Sequence, residues 1–153
     1  MRKKLLLALP TLAVAALLSS CSSGPKMCTL YNYGGVQYAG TYYENIVYNN
    51  EKNMTPETLC ALVVGYEDII QHPTGLRKMP PPGICAEYGY LLLKPGTATT
   101  FAQNATEVQK NWYQTDDYPA FFKNRGIEML KKEIELYPES KTFIEPFIEK
   151  LSK

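Results

Sequence analysis

Apolar residues along this chain recur mostly at helical spacing. Leu59, Leu62, Val63, Tyr66, Ile69 and Ile70 form one stripe, opened by Thr55-Pro56-Glu57 and stopped by His72-Pro73-Thr74-Gly75. A threonine side chain accepts a hydrogen bond from an orphan amide, a proline has no amide to satisfy, and a glutamate suits the positive end of the helix dipole. The pattern predicts a helix over about residues 57–71. Pro80-Pro81-Pro82-Gly83 closes the following loop and reads as a stiff spacer ahead of a helix rather than a polyproline docking ligand. A second helix, Ile84 to Lys94, carries Tyr88, Leu91 and Leu92 and ends at Pro95-Gly96.

Thr97, Thr99 and Thr100 are poor helix formers, whereas Phe101, Ala105, Val108 and Trp112 are spaced for an amphipathic helix from Phe101 to Tyr113. Asp116-Asp117 can cap the next helix, with Pro119 in its first turn. That helix is expected to run to about Leu136, with Phe122, Ile127, Leu130, Ile134 and Tyr137 on its buried side. Pro138 breaks it. Ser140 is expected to cap a final helix in which Phe143, Phe147 and Leu151 repeat every four residues and Pro146 introduces a bend. The fold class is therefore all-α, built of helical hairpins.

Residues 28–50 differ in composition. They hold Tyr31, Tyr33, Tyr38, Tyr42, Tyr43 and Tyr48, half of the 12 tyrosines. Tyrosine joins a large apolar body to a polar tip, so these rings either pack the N-terminal segment onto the helices or form a partner surface. Tyr31, Tyr33 and Tyr38 are the candidate partner surface, together with a groove between helices 57–71 and 84–94. A short helix is expected at 41–49.

The start of the chain has its own pattern. Arg2, Lys3 and Lys4 precede an apolar run from Leu5 to Leu18, then Ser19, Ser20 and Cys21. A charged start, an apolar centre and a small-residue exit describe a secretory signal peptide over 1–20. The run is shorter than the roughly 20 apolar residues of a membrane-spanning helix. Leu18-Ser19-Ser20-Cys21 resembles the lipobox of bacterial lipoproteins. That resemblance implies cleavage before Cys21, a thioether-linked diacylglycerol on its sulfur and an acyl group on its new amine. With about 0.8 kcal/mol per buried methylene, two or three such chains hold where one is marginal. Residues 21–27 then read as a tether, and 28–153 as a single helical domain. Ser22 in place of aspartate, by the sorting rules of enteric bacteria, directs such a protein to the outer membrane, on its periplasmic face.

Charge and candidate chemistry narrow the function classes. Three of the 16 Lys and Arg fall in the leader, leaving the 15 acidic residues in slight excess over the rest of the chain. With no basic block or stripe, nucleic-acid binding has no electrostatic footprint. Beyond Cys21 stand Cys28, Cys60 and Cys85, an odd number, and the last two are expected as buried thiols. With His72, the only histidine, they match no zinc spacing, so neither metal nor cofactor is expected beyond the lipid on Cys21. The serines after the leader are Ser22, Ser23, Ser140 and Ser152, in the tether, at a helix cap and beside the C-terminus. None is a credible triad nucleophile. Glu67-Asp68 and Asp116-Asp117 read as solvated faces or caps. An interaction protein is thus favoured over an envelope hydrolase or a passive structural lipoprotein.

Two resemblances sharpen this. Gly89, Gly126, Leu130 and Pro138 follow the logic of a tetratricopeptide repeat: a small residue in each helix where they approach, a large apolar residue four further on, and a closing proline twelve beyond Gly126. Residues 97–125 interrupt the pattern, and Glu133 stands where a small residue is usual. Over residues 28–151 the chain also resembles a family of bacterial lipoproteins of unknown function with repeat-like helical domains. The motifs are Leu30-Tyr31-Asn32-Tyr33-Gly34 (Tyr33 replacing the family's tryptophan), Pro81-Pro82-Gly83 with Gly89-Tyr90-Leu91-Leu92, and Glu135-Leu136-Tyr137-Pro138-Glu139-Ser140. This resemblance implies association with a lipoprotein similar to the curli secretion channel and with a second small envelope lipoprotein. It implies no enzymatic activity.

Overall fold

The structure, a computed structural model, describes residues 37–38, 41–73 and 77–151. The described residues are all-α apart from a minimal antiparallel ladder. Its strands, β1 (Gln37–Tyr38) and β2 (Thr41–Tyr42), pair Gln37 with Tyr42 and Tyr38 with Thr41. Helix α1 follows at Tyr43–Asn53, starting later and running further than the short helix expected at 41–49. The remaining helices are α2 (Pro56–Gln71), α3 (Ile84–Leu93), α4 (Thr97–Asn104), α5 (Glu107–Lys110), α6 (Tyr118–Leu136) and α7 (Lys141–Leu151), the last preceded by a 3-10 turn at Pro138–Ser140.

Local chemistry accounts for the boundaries. The Thr55 hydroxyl accepts from the Thr58 amide at 3.3 Å, and the Thr58 hydroxyl accepts from the Thr55 amide at 3.1 Å, a reciprocal cap. Asp117 caps α6 by accepting from the Ala120 amide at 3.0 Å. The helix expected over Phe101–Tyr113 is instead two. Helix α4 begins at Thr97 despite its threonines and stops at Asn104, and Thr106 starts α5 with a second reciprocal cap to Gln109. Two satisfied amides at Thr106 and Gln109 outweigh continuation of the apolar stripe, and Val108, expected inside, is 69 % exposed. Ser140 lies within the 3-10 turn rather than capping α7, and its hydroxyl donates to the Tyr137 carbonyl at 2.7 Å. This turn rotates the final helix: Ile144 is buried and Phe143 is 83 % exposed, against the expected stripe.

Helix α2 is the hub. α1, α3 and α4 all pack on it, so Cys60, Val64 and Glu67 are buried along with Leu62, Val63, Tyr66, Ile69 and Ile70. Leu59, at its exposed start, is only half-buried. The most extensive helix pair is α3 with α6. Their backbones meet at two glycines: a Cβ on Gly89 would stand 2.8 Å from the Gly126 carbonyl oxygen, and one on Gly126 would stand 3.0 Å from the Gly89 oxygen. No side chain fits at this crossing. The buried side of α6 is Tyr118, Phe122, Gly126, Met129, Leu130 and Glu133, while Ile127 and Ile134 are only half-buried.

The far end of the α3–α6 pair is held by a carboxylate. Gly83, at φ 91°, starts α3 with no side-chain cap of its own. Glu133 from α6 supplies it, accepting from the Gly83 amide at 2.7 Å and the Ala86 amide at 3.3 Å. One turn on, the Tyr137 hydroxyl donates to the Pro80 carbonyl at 2.6 Å. The proline run is thus fastened to α6. The glutamate that departs from the repeat pattern caps the partner helix.

Candidate functional site

The expected groove between α2 and α3 is filled at the level of Tyr66 and Tyr88 and opens toward Leu59 and Leu91. Tyr66 and Tyr88 stack across it with ring centroids 5.7 Å apart, and the Tyr66 hydroxyl donates to Glu87 at 2.8 Å. A larger opening lies between α2 and α6, a cleft of about 380 Å³. Its floor is built around Glu67, which is 2 % exposed rather than on a solvated face. Arg125 of α6 crosses to it, with Nη2 at 2.5 Å from Oε1 and Nε at 3.3 Å from Oε2. The Tyr88 hydroxyl donates to Oε2 at 2.7 Å and Gln71 Nε2 to Oε1 at 2.9 Å, so four donors serve this carboxylate. Burial pushes the Glu67 carboxyl up, but hydrogen bonds from Arg125, Tyr88 and Gln71, with the guanidinium charge, outweigh it and hold the group below the usual carboxylate range.

Tyr113 ties the turn after α5 to this floor. Its hydroxyl lies 3.2 Å from that of Tyr88 and donates to the Val63 carbonyl at 3.2 Å. Its ring meets Phe101 and Phe122 edge-on, at 5.2 and 5.5 Å, in an aromatic cluster with Tyr118 and Phe121. The cleft walls are Trp112 and Phe121, both half-buried, and its rim is Gln71, Asn124 and Glu128. Glu128 takes the third Arg125 contact, 2.7 Å from Nη1.

A second surface is aromatic. Tyr90 on α3 is 60 % exposed, and its ring lies 5.7 Å from that of Phe147 on α7, beside exposed Phe143. A smaller pocket of about 290 Å³ sits where the α1–α2 turn faces α3 and α4, lined by Met54, Leu59 and Leu91 together with Glu51 and Lys94.

Of the residues singled out from the sequence, Cys21, Tyr31, Tyr33 and Cys28 lie outside the described residues, and Tyr38 enters through its backbone in β1. Cys60 and Cys85 are buried free thiols, as expected. Burial, with the nearby charges of Glu57 and of Glu133 respectively, pushes them up to about 11 and about 12. His72 is exposed, with Nδ1 2.9 Å from Asp68 Oδ1 and its ring edge-on to Trp112 at 6.1 Å. Among the described residues no three His, Cys, Asp or Glu side chains converge as metal ligands, and no helix is long and apolar enough to cross a membrane. Arg125, the residue that organises the cleft, went unnoticed in the sequence, where it stands 58 positions from Glu67 with no pattern joining them.

Comparison with known proteins finds no counterpart: no family profile, no curated protein and no solved structure matches the chain.

Proposed function

We propose that this chain is an adapter, lipid-anchored through Cys21 at the periplasmic face of the outer membrane, that holds together an envelope or secretion-channel complex. In this reading α3 and α6 are the two helices of one tetratricopeptide-like unit, interrupted by residues 97–117, and α7 opens a following unit. The Gly89–Gly126 crossing supports it, because that repeat places small residues where its two helices touch. The partners are other envelope lipoproteins, including one similar to the curli secretion channel. The reading assigns the chain no catalysis: buried Glu67 is engaged by four donors, buried Glu133 caps α3, and burial raises the Cys60 and Cys85 thiols.

The observation that carries the adapter role is the exposed aromatic surface of Tyr90 and Phe143, with the half-buried Phe147 ring against Tyr90. It lies on two neighbouring helices, and among the described residues Tyr90 and Phe143 stand largely exposed. Aromatic residues are enriched at protein interfaces, and a contiguous exposed set is more informative than scattered ones. The test is capture of the tagged, lipidated protein from gently solubilised, cross-linked envelopes of its own host. A channel-like lipoprotein in fixed proportion is expected, and Tyr90→Ser with Phe143→Ser should release it while helicity is kept. Bait recovered alone from a well-folded preparation refutes the adapter. Release by truncating Tyr31 and Tyr33, but not by the α3–α7 pair, moves the surface to the N-terminal segment.

A further inference from the structure

We infer that the cleft between α2 and α6 is a binding site for a neutral acetamido sugar, the unit of an N-acetylated glycan. Its volume of about 380 Å³ lies in the range of small-ligand sites, which pair apolar and aromatic walls with a few placed polar groups. Here the walls are the half-buried Trp112 and Phe121 rings, whose apolar surface suits the C–H face of a pyranose and an acetyl methyl. The polar groups offer both donors and acceptors. Arg125 has five N–H donors, of which three are spent on Glu67 and Glu128, leaving one on each terminal nitrogen for a carbonyl oxygen. Glu128 accepts from Arg125 through Oε1, which leaves Oε2 for an amide N–H or a hydroxyl. Gln71 gives its Nε2 to Glu67 and keeps its carbonyl oxygen, and Asn124 adds a whole amide on the rim.

Charge and shape exclude the other ligand classes. Two carboxylates against one guanidinium oppose an anion, and both carboxylates are already engaged by that guanidinium, which opposes a cation. Every lining residue belongs to a helix or the turn after α5, so no strand edge is offered to an extended peptide. The apolar wall is too short for an amphipathic helix, since Tyr113 is buried and only two rings remain. Glu67, bonded to four donors and held ionised, has no proton to give a glycosidic oxygen.

The chain contains one tryptophan, so emission excited at the red edge, where its 12 tyrosines do not absorb, reports this cleft wall. The experiment titrates the full chain with tri-N-acetylchitotriose, with cellotriose, and with an acetylated, amidated tripeptide. A saturable change in Trp112 emission is expected for the acetylated trisaccharide only. Asn124→Ala and Glu128→Gln, both on the exposed rim, should each weaken it about tenfold, the effect of one lost hydrogen bond. Calorimetric titration repeats the measurement without relying on emission, and circular dichroism checks that both variants keep the wild-type helix content. No saturable response up to millimolar trisaccharide overturns the proposal. So does an equal response to cellotriose, which lacks the acetamido group, or a response to the tripeptide alone. None of these outcomes bears on the adapter reading, which rests on a different surface and on envelope capture.

Discussion

Replacing Arg125 with methionine isolates what the buried ion pair contributes. Methionine keeps most of the aliphatic stem and removes the guanidinium. Glu67 then loses its contacts at 2.5 and 3.3 Å and retains only Tyr88 and Gln71, in a position 2 % exposed. Stranding one member of a buried pair costs about 3–5 kcal/mol, against about 0–1 kcal/mol for an exposed pair. Arg125→Met should therefore lose about 3–5 kcal/mol in urea unfolding followed by circular dichroism at pH 7. The pH dependence identifies the cause. In the wild type the Glu67 carboxyl is lowered from 4.5, so its stabilisation is complete above that value and is lost as pH falls through the folded one. In the variant the raising effect of burial is opposed by Tyr88 and Gln71 without the guanidinium, and the folded value rises. The destabilisation seen at pH 7 should then shrink as pH falls through it, because a protonated Glu67 is tolerated. Adding Glu67→Gln should recover most of the loss at pH 7. A loss under about 1 kcal/mol at neutral pH would place the pair in the exposed class. A large loss identical at pH 5 and pH 7 would assign it to packing rather than to the stranded charge.

Gly89→Ala should cost about 1–3 kcal/mol by overpacking, read as a lower urea midpoint with unchanged slope, because the added carbon meets a backbone oxygen that cannot turn aside. Cys60 and Cys85, raised to about 11 and about 12, should resist iodoacetamide at pH 8 in the folded protein and react fully in urea, with peptide mapping to separate them from the other cysteines. Labelling of either at its unfolded rate would show that α2 or α3 opens readily.

Signals contained within a few residues were legible in the sequence. Thr55 and Asp117 cap the helices they were expected to cap, and Gly89 and Gly126 are where two helices touch. The break at Ala105-Thr106 was also written locally, as a threonine followed three residues later by Gln109. Periodicity across the break masked it, since a stripe at 101, 105, 108 and 112 carries no information about satisfied amides. Burial of Glu67 was not legible. An Asp or Glu beside another reads as solvated until a partner is known, and Arg125 comes from the far side of the α4–α5 insertion. Glu133 hid its role likewise, as a charge at a position where close packing asks for a small residue. In α7 a single 3-10 turn rotates the helix and exchanges Phe143 for Ile144 on the buried side. No periodicity within an eleven-residue helix sets that phase.

The carboxylate that starts α3 sits 50 residues downstream of the amide it holds. A chain made from its N-terminus therefore exposes Ile84, Tyr88 and Leu92 before the group that completes their helix exists. At about 5–20 residues per second, that interval lasts roughly 3–10 s. During it α3 is short, uncapped and apolar, a length at which isolated helices are marginal. Helix α3 is thus completed only once α6 is nearly made.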